Sequence, residues 1–406
     1  MDEPPQPGPW SAPRVSAWGV FLAFLRQGLT AFGGPVAHLG YFRREFVEKR
    51  GWLSEPAFAD LMALCQFLPG PASSQMGMAI GLRQAGIAGA LAAWLGFTLP
   101  AGAAMIGFAY LAPRLGAAWG EGWLHGLKIA AAAVVLQALV AMARTLAVGP
   151  IRAGMALGAA AGLIIAHGPV AQIFAIAAGA LFGLAFLREP APAVPDDPDP
   201  RRVKPYVSIT ALALFALLLA GLPFAAEALQ DPTLSLASVF YRTGALVFGG
   251  GHVVLPLLQS EVVGRGWLDQ DAFLAGYGAA QALPGPLFSF AGFVGAAQQI
   301  APGGWRGGLI AITAIFLPSL LLVIGVLPFW DRLKTRPGAR GALAGVNAVV
   351  VGVLAAALWD PVLSSAVRQP TDWALLAAAF VFLQVAKLPP WLVVIGFAVA
   401  TGLWVR

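Results

Sequence analysis

The chain has 406 residues, of which 59% are apolar and only 11% charged, and its mean hydropathy is +0.77. A soluble chain carries about 25% charged residues to cover its surface, so a soluble globular protein is excluded. The net charge of +6 reads as Lys and Arg at the ends of membrane helices, because no basic patch interleaved with stacking aromatics points to nucleic acid.

Residues 1–17 form a proline-rich N-terminal tail with Asp2 and Glu3; it lacks the basic start and short apolar run of a cleaved signal peptide. A first apolar segment, 18–32, stops at Gly33-Gly34-Pro35 and resumes near Val36. A second, 56–68, stops at Pro69-Gly70-Pro71 and can resume at Ala72. Both are shorter than the roughly 20 apolar residues that cross a bilayer as a helix. Thirty uncharged residues then lie between Arg83 and Arg114, followed by a candidate span at 123–143. An uncharged run at 153–187 is divided at His167-Gly168-Pro169 into two spans joined by a tight turn. Residues 188–206 are charged and proline-rich and read as a hydrophilic linker. Beyond them lie candidate spans at 207–226, between Arg306 and Asp331, and at 341–359, 372–387 and 390–405.

The second half repeats the first. Phe24, Arg26, Gly28, Phe32, Gly33, Gly34 and Leu39 return as Phe240, Arg242, Gly244, Phe248, Gly249, Gly250 and Leu255. RGWL at 50–53 returns at 265–268, and QFLPGP at 66–71 returns as QALPGP at 281–286. Ser74 and Gly77 return as Ser289 and Gly292, and Leu99-Pro100 as Leu317-Pro318. Composition bias could produce one GG match but not this ordered series. The reading is an all-α polytopic membrane protein made of two homologous units, 18–187 and 207–406. Arg43, Arg44, Lys49 and Arg50 precede the first LPGP, where the second copy has only Arg265. After the next long span the bias reverses, with Arg114 alone against Arg332, Lys334, Arg336 and Arg340. Because Lys and Arg gather on the cytoplasmic side, the two units are expected to be inverted, as in secondary transporters with a midplane site.

Each Gly/Pro break is expected to end one half-helix and start another, giving interrupted, re-entrant half-helices. Unpaired backbone at membrane depth is tolerated only where protein buries it or a cavity solvates it. A new helix start exposes free N–H groups and about half a positive charge, which suits an anion. The candidate binding residues are therefore Gly33, Gly34, Pro35, Pro69, Gly70, Pro71, Gly249, Gly250, Gly251, Pro284, Gly285 and Pro286. Ser73, Ser74, Gln75 and Ser289 follow the restarts and add side-chain donors. The alternative is that these motifs are kinks or packing points. Arg26 and Arg242 sit at matching positions in apolar helices, where an arginine costs at least about 2.5 kcal/mol unless it faces a cavity or partner. They read as cations on an anion path; the alternatives are snorkelling or a structural pair with a carboxylate. His38 and His252 adjoin the GG motifs and are candidates to face the site. Glu45 and Glu261 are repeated and are candidates for coupling, although their charged surroundings read as interfacial. Lys128 reads as an interfacial anchor and Cys65 as a packing residue.

The lone cysteine excludes an intrachain disulfide, and the four histidines have no metal-ligand spacing. No phosphate loop and no nucleophile–base set occur, so neither a primary pump nor an enzyme is expected, and no cofactor.

FGGP at 32–35, FLPGP at 67–71, RGWL at 50–53 and their second copies resemble the chromate ion transporter family, in its two-domain, long-chain form. Gly251 departs from the pattern, standing where the first copy has Pro35, so an exactly symmetric site is in doubt. The resemblance implies a bacterial inner-membrane protein that exports chromate, confers chromate resistance and is driven by the proton-motive force. The expected partners are chromate, sulfate as a competitor, membrane lipids and a second copy in a homodimer. Uptake or exchange of sulfate is the competing transport reading, and a membrane enzyme or scaffold the remote one.

Overall fold

The computed structural model describes residues 15–166, 168–187 and 203–404. The first fourteen residues, His167, most of the linker (188–202) and the last two residues lie outside it. All regular structure among the described residues is helical. The first half contains α1 (Ala17–Thr30), α2 (Gly34–Phe42), α3 (Glu55–Phe67), α4 (Ala72–Trp119), α5 (Gly122–Leu146), α6 (Pro150–Ile165) and α7 (Pro169–Phe186). The second contains α8 (Pro205–Leu229), α9 (Pro232–Leu246), α10 (Val254–Val262), α11 (Gln270–Gln281), α12 (Phe290–Ala297), α13 (Gly304–Val326), α14 (Trp330–Leu333), α15 (Pro337–Ala357), α16 (Ser364–Ala366), α17 (Pro370–Gln384) and α18 (Pro390–Trp404). Proline occupies the first turn of α6 to α9, α15 and α17, where its missing N–H would be unpaired anyway.

Among the described residues, six helical stretches are long and apolar enough to cross a membrane. The spans expected at 372–387 and 390–405 come out as α17 and α18, of 15 residues each. At 1.5 Å per residue each is about 22 Å long, short of the ~30 Å hydrocarbon core. The stretch between Arg83 and Arg114 is not one straight span either. α4 folds back at Ala85 and Gly86, whose backbones leave the helical region, so 72–84 and 87–119 are separate segments. Gly81 and Gly89 meet backbone to backbone across this turn, and a Cβ on either would collide with the other's carbonyl.

The short pieces form four helical hairpins. In the first, α1 and α2 run back to back, with Phe24 packed on Phe42 and Phe46, and the tip is the GG break. The second pairs α3 with residues 72–84: Gln84 Nε2 donates to the Trp52 carbonyl at 3.2 Å, and Pro69–Pro71 form the tip. The third pairs α9 with α10, closed by the Arg242–Glu261 ion pair. The fourth pairs α11 with α12, and Gln299 N–H donates to the Trp267 carbonyl at 2.9 Å at its base.

Hairpins one and two start from one end of the molecule, three and four from the other. Arg43 pairs with Glu55, and Asp60 of α3 accepts from Trp330 Nε1 at 2.9 Å and from Lys334 at 3.3 Å. Arg43–Arg50 and Arg332–Arg340 thus share a basic end. At the opposite end Lys128 reaches Asp271 at 3.0 Å, and Arg368 joins the same carboxylate. α5 starts there and finishes beside Arg340, whereas α15 starts beside Arg340 and leads back to Arg368. These helices are repeat equivalents (Gly126 + 215 = Gly341) and they run antiparallel, so the two copies are inverted. They also exchange partners. α15 lies on α6 and α7, with Gly341 and Gly345 against Gly183 and Gly179, while α5 lies on α17 and α18, with Gly126 against Phe397.

α8 lies between the linker and the first repeated motif of the second copy, which begins at Phe240 in α9. It leaves the basic end, where Ser208 Oγ donates to the Ile324 carbonyl at 3.0 Å, and reaches the opposite end, where Gln230 lines a cavity with Arg265. Its apolar window is only 11% buried, against 67% for α13, so it lies at the periphery.

Candidate functional site

The four tips meet in two backbone junctions. Gly70 N–H, in the second tip, donates to the Val247 carbonyl in the third at 2.7 Å. Gly285 N–H, in the fourth tip, donates to the Ala31 carbonyl in the first at 3.0 Å. Gly70 and Gly285 are repeat equivalents, as are Val247 and Ala31, so one contact is made twice. Each joins a hairpin from the basic end to one from the opposite end. Both glycines are buried with positive φ, +123° at Gly70 and +100° at Gly285, a conformation that favours glycine.

Around the Gly70 junction the lining is polar. Gln75 Nε2 donates to the Pro69 carbonyl at 2.6 Å and to Ser319 Oγ at 3.4 Å. A Cβ on Gly70 would collide with Ser319 Oγ. Pro71 caps the restart without a side-chain bond, and the N–H groups of Ala72, Ser73 and Ser74 have no partner among the described residues. Ser74 Oγ is buried and unpartnered, as is Ser289 Oγ beyond Pro284 and Pro286 in the fourth hairpin.

At the Gly285 junction a histidine closes the corner. His38 Nε2 donates to the Ala31 carbonyl at 3.2 Å, which leaves Nδ1 to accept from Ser73 Oγ at 3.3 Å. His38 thereby ties hairpins one, two and four together, with its ring edge-on to Phe97. His252 takes a different partner, with Nδ1 2.7 Å from the Tyr277 hydroxyl. Gly34 and Gly250 border open space, so backbone is accessible at both GG breaks, whereas Gly249 packs on Val350 and Met142. Gly33 is exposed and takes the left-handed conformation that starts α2 at Gly34, ahead of Pro35 and earlier than expected. A short 3-10 turn, Gly251–Val253 in the third hairpin and Leu287–Ser289 in the fourth, precedes the helix, so the third restart begins at Gly251 rather than after it.

The arginines are not brought to the junctions. Arg26 lies on the exposed face of α1, and Arg242 is ion-paired with Glu261 along the arm of the third hairpin. Glu45, Glu261 and Lys128 are buried against protein near the two ends, each beside a charged partner. Their side chains are 7%, 6% and 4% exposed, and partners make that burial tolerable. Glu45 accepts from Arg50 at 2.7 Å and Glu261 from Arg265 at 2.9 Å, another pair of repeated contacts. Cys65 is buried.

Two site residues were missed from sequence. Ser319 follows Pro318 inside α13, and Asn347 is the sole polar side chain in the apolar run of α15. Asn347 Oδ1 lies 3.6 Å from where a Gly249 Cβ would stand. A hydroxyl next to an intrahelical proline, and a lone amide in a span, were the available signals.

The sequence pattern of the family described as "Chromate transporter" matches residues 18–184 and 234–403. A "Chromate transport protein" of Pseudomonas aeruginosa is 31% identical over 414 aligned residues, covering 98% of this chain and 93% of that one. Another, from Cupriavidus metallidurans, is 28% identical over 392, covering 96% and 93%. No solved structure matches.

Proposed function

The chain belongs to the chromate transporter family, and on that premise we propose that it is a secondary active transporter that exports chromate, driven by the proton-motive force. It is a multi-pass protein of the bacterial inner membrane, a transporter rather than an enzyme. The oxyanion sits between the four hairpin tips, where backbone N–H groups at the restarts and the hydroxyls of Ser73, Ser74 and Ser289 replace part of its hydration shell. The observation that carries this reading is the doubled junction, Gly70 to Val247 and Gly285 to Ala31. It brings breaks from both ends together without placing several full charges in the bilayer, where a dianion and its counter-charges are costly to desolvate. Both repeat units, 18–187 and 207–406, then contribute to one site, which movement of one hairpin pair against the other would expose alternately. The coupling residues in this reading are Glu45 and Glu261, the carboxylates that the repeat carries in both copies.

Sulfate is the second reading. Hydroxyl and N–H donors fit any tetrahedral dianion, so sulfate competes with chromate or replaces it in exchange. Purified protein in proteoliposomes, given chromate, sulfate and molybdate in turn under an imposed proton gradient, separates the two. Gradient-driven chromate flux that sulfate only inhibits supports the proposal. Flux of sulfate with none of chromate sinks it.

A further inference from the structure

The Gly70 junction holds a buried acceptor with nothing to accept. Gln75 is fully buried in the first helical turn after Pro71. Its amide is oriented by its partners. Nε2 donates to the Pro69 carbonyl at 2.6 Å, and turning the amide over would set two carbonyl oxygens against each other. Oε1 therefore faces away from Pro69, where it is buried and without a partner. A buried carbonyl left unpaired is costly, so a donor belongs there when the site is filled.

The polar atoms that share this restart are of the opposite kind. Ser319 Oγ accepts from Gln75 Nε2 at 3.4 Å, which leaves its own proton to donate. Ser74 Oγ is buried and unpartnered, and the N–H groups of Ala72, Ser73 and Ser74 have no partner among the described residues. The repeat keeps the hydroxyl and drops the amide: Ser74 returns as Ser289, but Phe290 stands at the position of Gln75. Asn347 Oδ1, at the third tip, is also unpartnered, but no bond among the described residues fixes how that amide faces. The Gly70 restart thus offers several donors and one oriented carbonyl.

We propose that the form recognised between the tips is the singly protonated oxyanion, whose O–H donates to Gln75 Oε1 while its other oxygens take the hydroxyl and backbone donors. This proposal rests on the transport reading above and names the species carried. A bare dianion would set an oxygen against the Gln75 carbonyl, two acceptors with no proton between them. The monoanion also leaves water far more readily, because the cost of desolvating an ion grows with the square of its charge. Chromate takes up a proton near neutral pH, whereas sulfate does so only in strong acid. A site that pairs a substrate hydroxyl rejects an analogue lacking it, so Gln75 separates two ions of the same shape. The proton is the substrate's own, drawn from water, and is distinct from any that Glu45 and Glu261 take.

The test is equilibrium binding of chromate to the purified transporter in detergent at stepped pH, with sulfate as competitor at each step. The readout is the ratio of the two Kd values. Protein groups that titrate move both ions alike, among them His38, bonded to Ser73 of this restart, Asp60 and Cys65 of α3, and Arg83 about two turns along the same helix. Above the pH at which chromate loses its proton, Kd for total chromate should rise about tenfold per pH unit relative to that of sulfate. Below it, sulfate should bind about 5- to 150-fold more weakly than chromate. Gln75→Met removes the carbonyl at similar length. It should weaken chromate more than sulfate, by about the same factor, and flatten the ratio against pH. If Gln75→Met is lost from the membrane, the wild-type pH series decides. A wild-type ratio that is flat with pH overturns the protonated form and leaves the transport reading standing. No oxyanion flux in the proteoliposome assay removes both.

Discussion

The two junctions are built on one backbone plan yet differ in chemistry. At Gly70 the neighbours are Ser319 and Gln75. At Gly285 the corresponding neighbour is Ala101, three residues after Thr98 as Ser319 is after Phe316, and His38 seals the corner. Gln75 itself corresponds to Phe290 (75 + 215), which stacks with other aromatics. The lesson is that the repeat preserves what holds the tips together and lets diverge what touches the space around them. Backbone contacts need only glycine and a turn, so two copies can keep them; polar side chains are needed in one place.

Substitutions can break or sharpen that contrast. Leucine at Gly70 or Gly285 combines left-handed backbone strain, about 1–3 kcal/mol, with overpacking of similar size, so transport should fall about 100-fold or more at both. Alanine separates them. Gly70→Ala meets Ser319 Oγ and Gln75 Nε2, whereas Gly285→Ala stands 3.2 Å from Ala101 Cβ, so Gly70→Ala should lose more flux per inserted molecule. Equal losses would mean that the junctions are equivalent after all.

A smaller effect is expected from Ser319→Ala, which makes the Gly70 junction resemble its twin. Losing one hydrogen-bonding hydroxyl, about 0.5–1.5 kcal/mol, should raise KM for the oxyanion by roughly 2- to 12-fold, read from initial flux against concentration. The reciprocal Ala101→Ser should bring no gain.

The smallest effect concerns the ends. Burial pushes the Asp271 carboxyl up, but Lys128 and Arg368 outweigh it and hold the pKa below its ordinary value. A depressed carboxyl stabilises the folded state above the ordinary carboxylate range and loses that contribution as pH falls through the folded pKa. Thermal melts in detergent should therefore drop more steeply below about pH 4 in wild type than in Asp271→Asn. The difference should stay under about 1 kcal/mol, since this carboxylate is 41% exposed. A steeper acid drop in Asp271→Asn would reverse the assignment.

Much of this architecture is legible in the sequence, and the exceptions have physical reasons. Gly33-Gly34-Pro35 and Pro69-Gly70-Pro71 mark breaks because left-handed glycine and helix-stopping proline act locally. The reversal of Lys and Arg between Arg43–Arg50 and Arg332–Arg340 marks inversion because it is a bulk property. The turn at Ala85-Gly86 escapes notice, since glycine is ordinary in membrane helices and the flanking stretch is uniformly apolar. The pairing of Gly70 with Val247 is a contact between distant segments that no local signal encodes. The burial of Glu45 and Glu261 is hidden for the opposite reason: neighbouring charges that look like an interface are their partners.

α8 has a consequence that lies outside the site. The first copy enters and leaves at the same end, so its crossings are even in number. A plain tandem duplication would leave both copies facing one way, with all four tips rising from one side and none descending to meet them. One odd, lipid-facing helix changes that parity. The junctions therefore depend on a segment that contributes no residue to them, through the fact that α8 crosses.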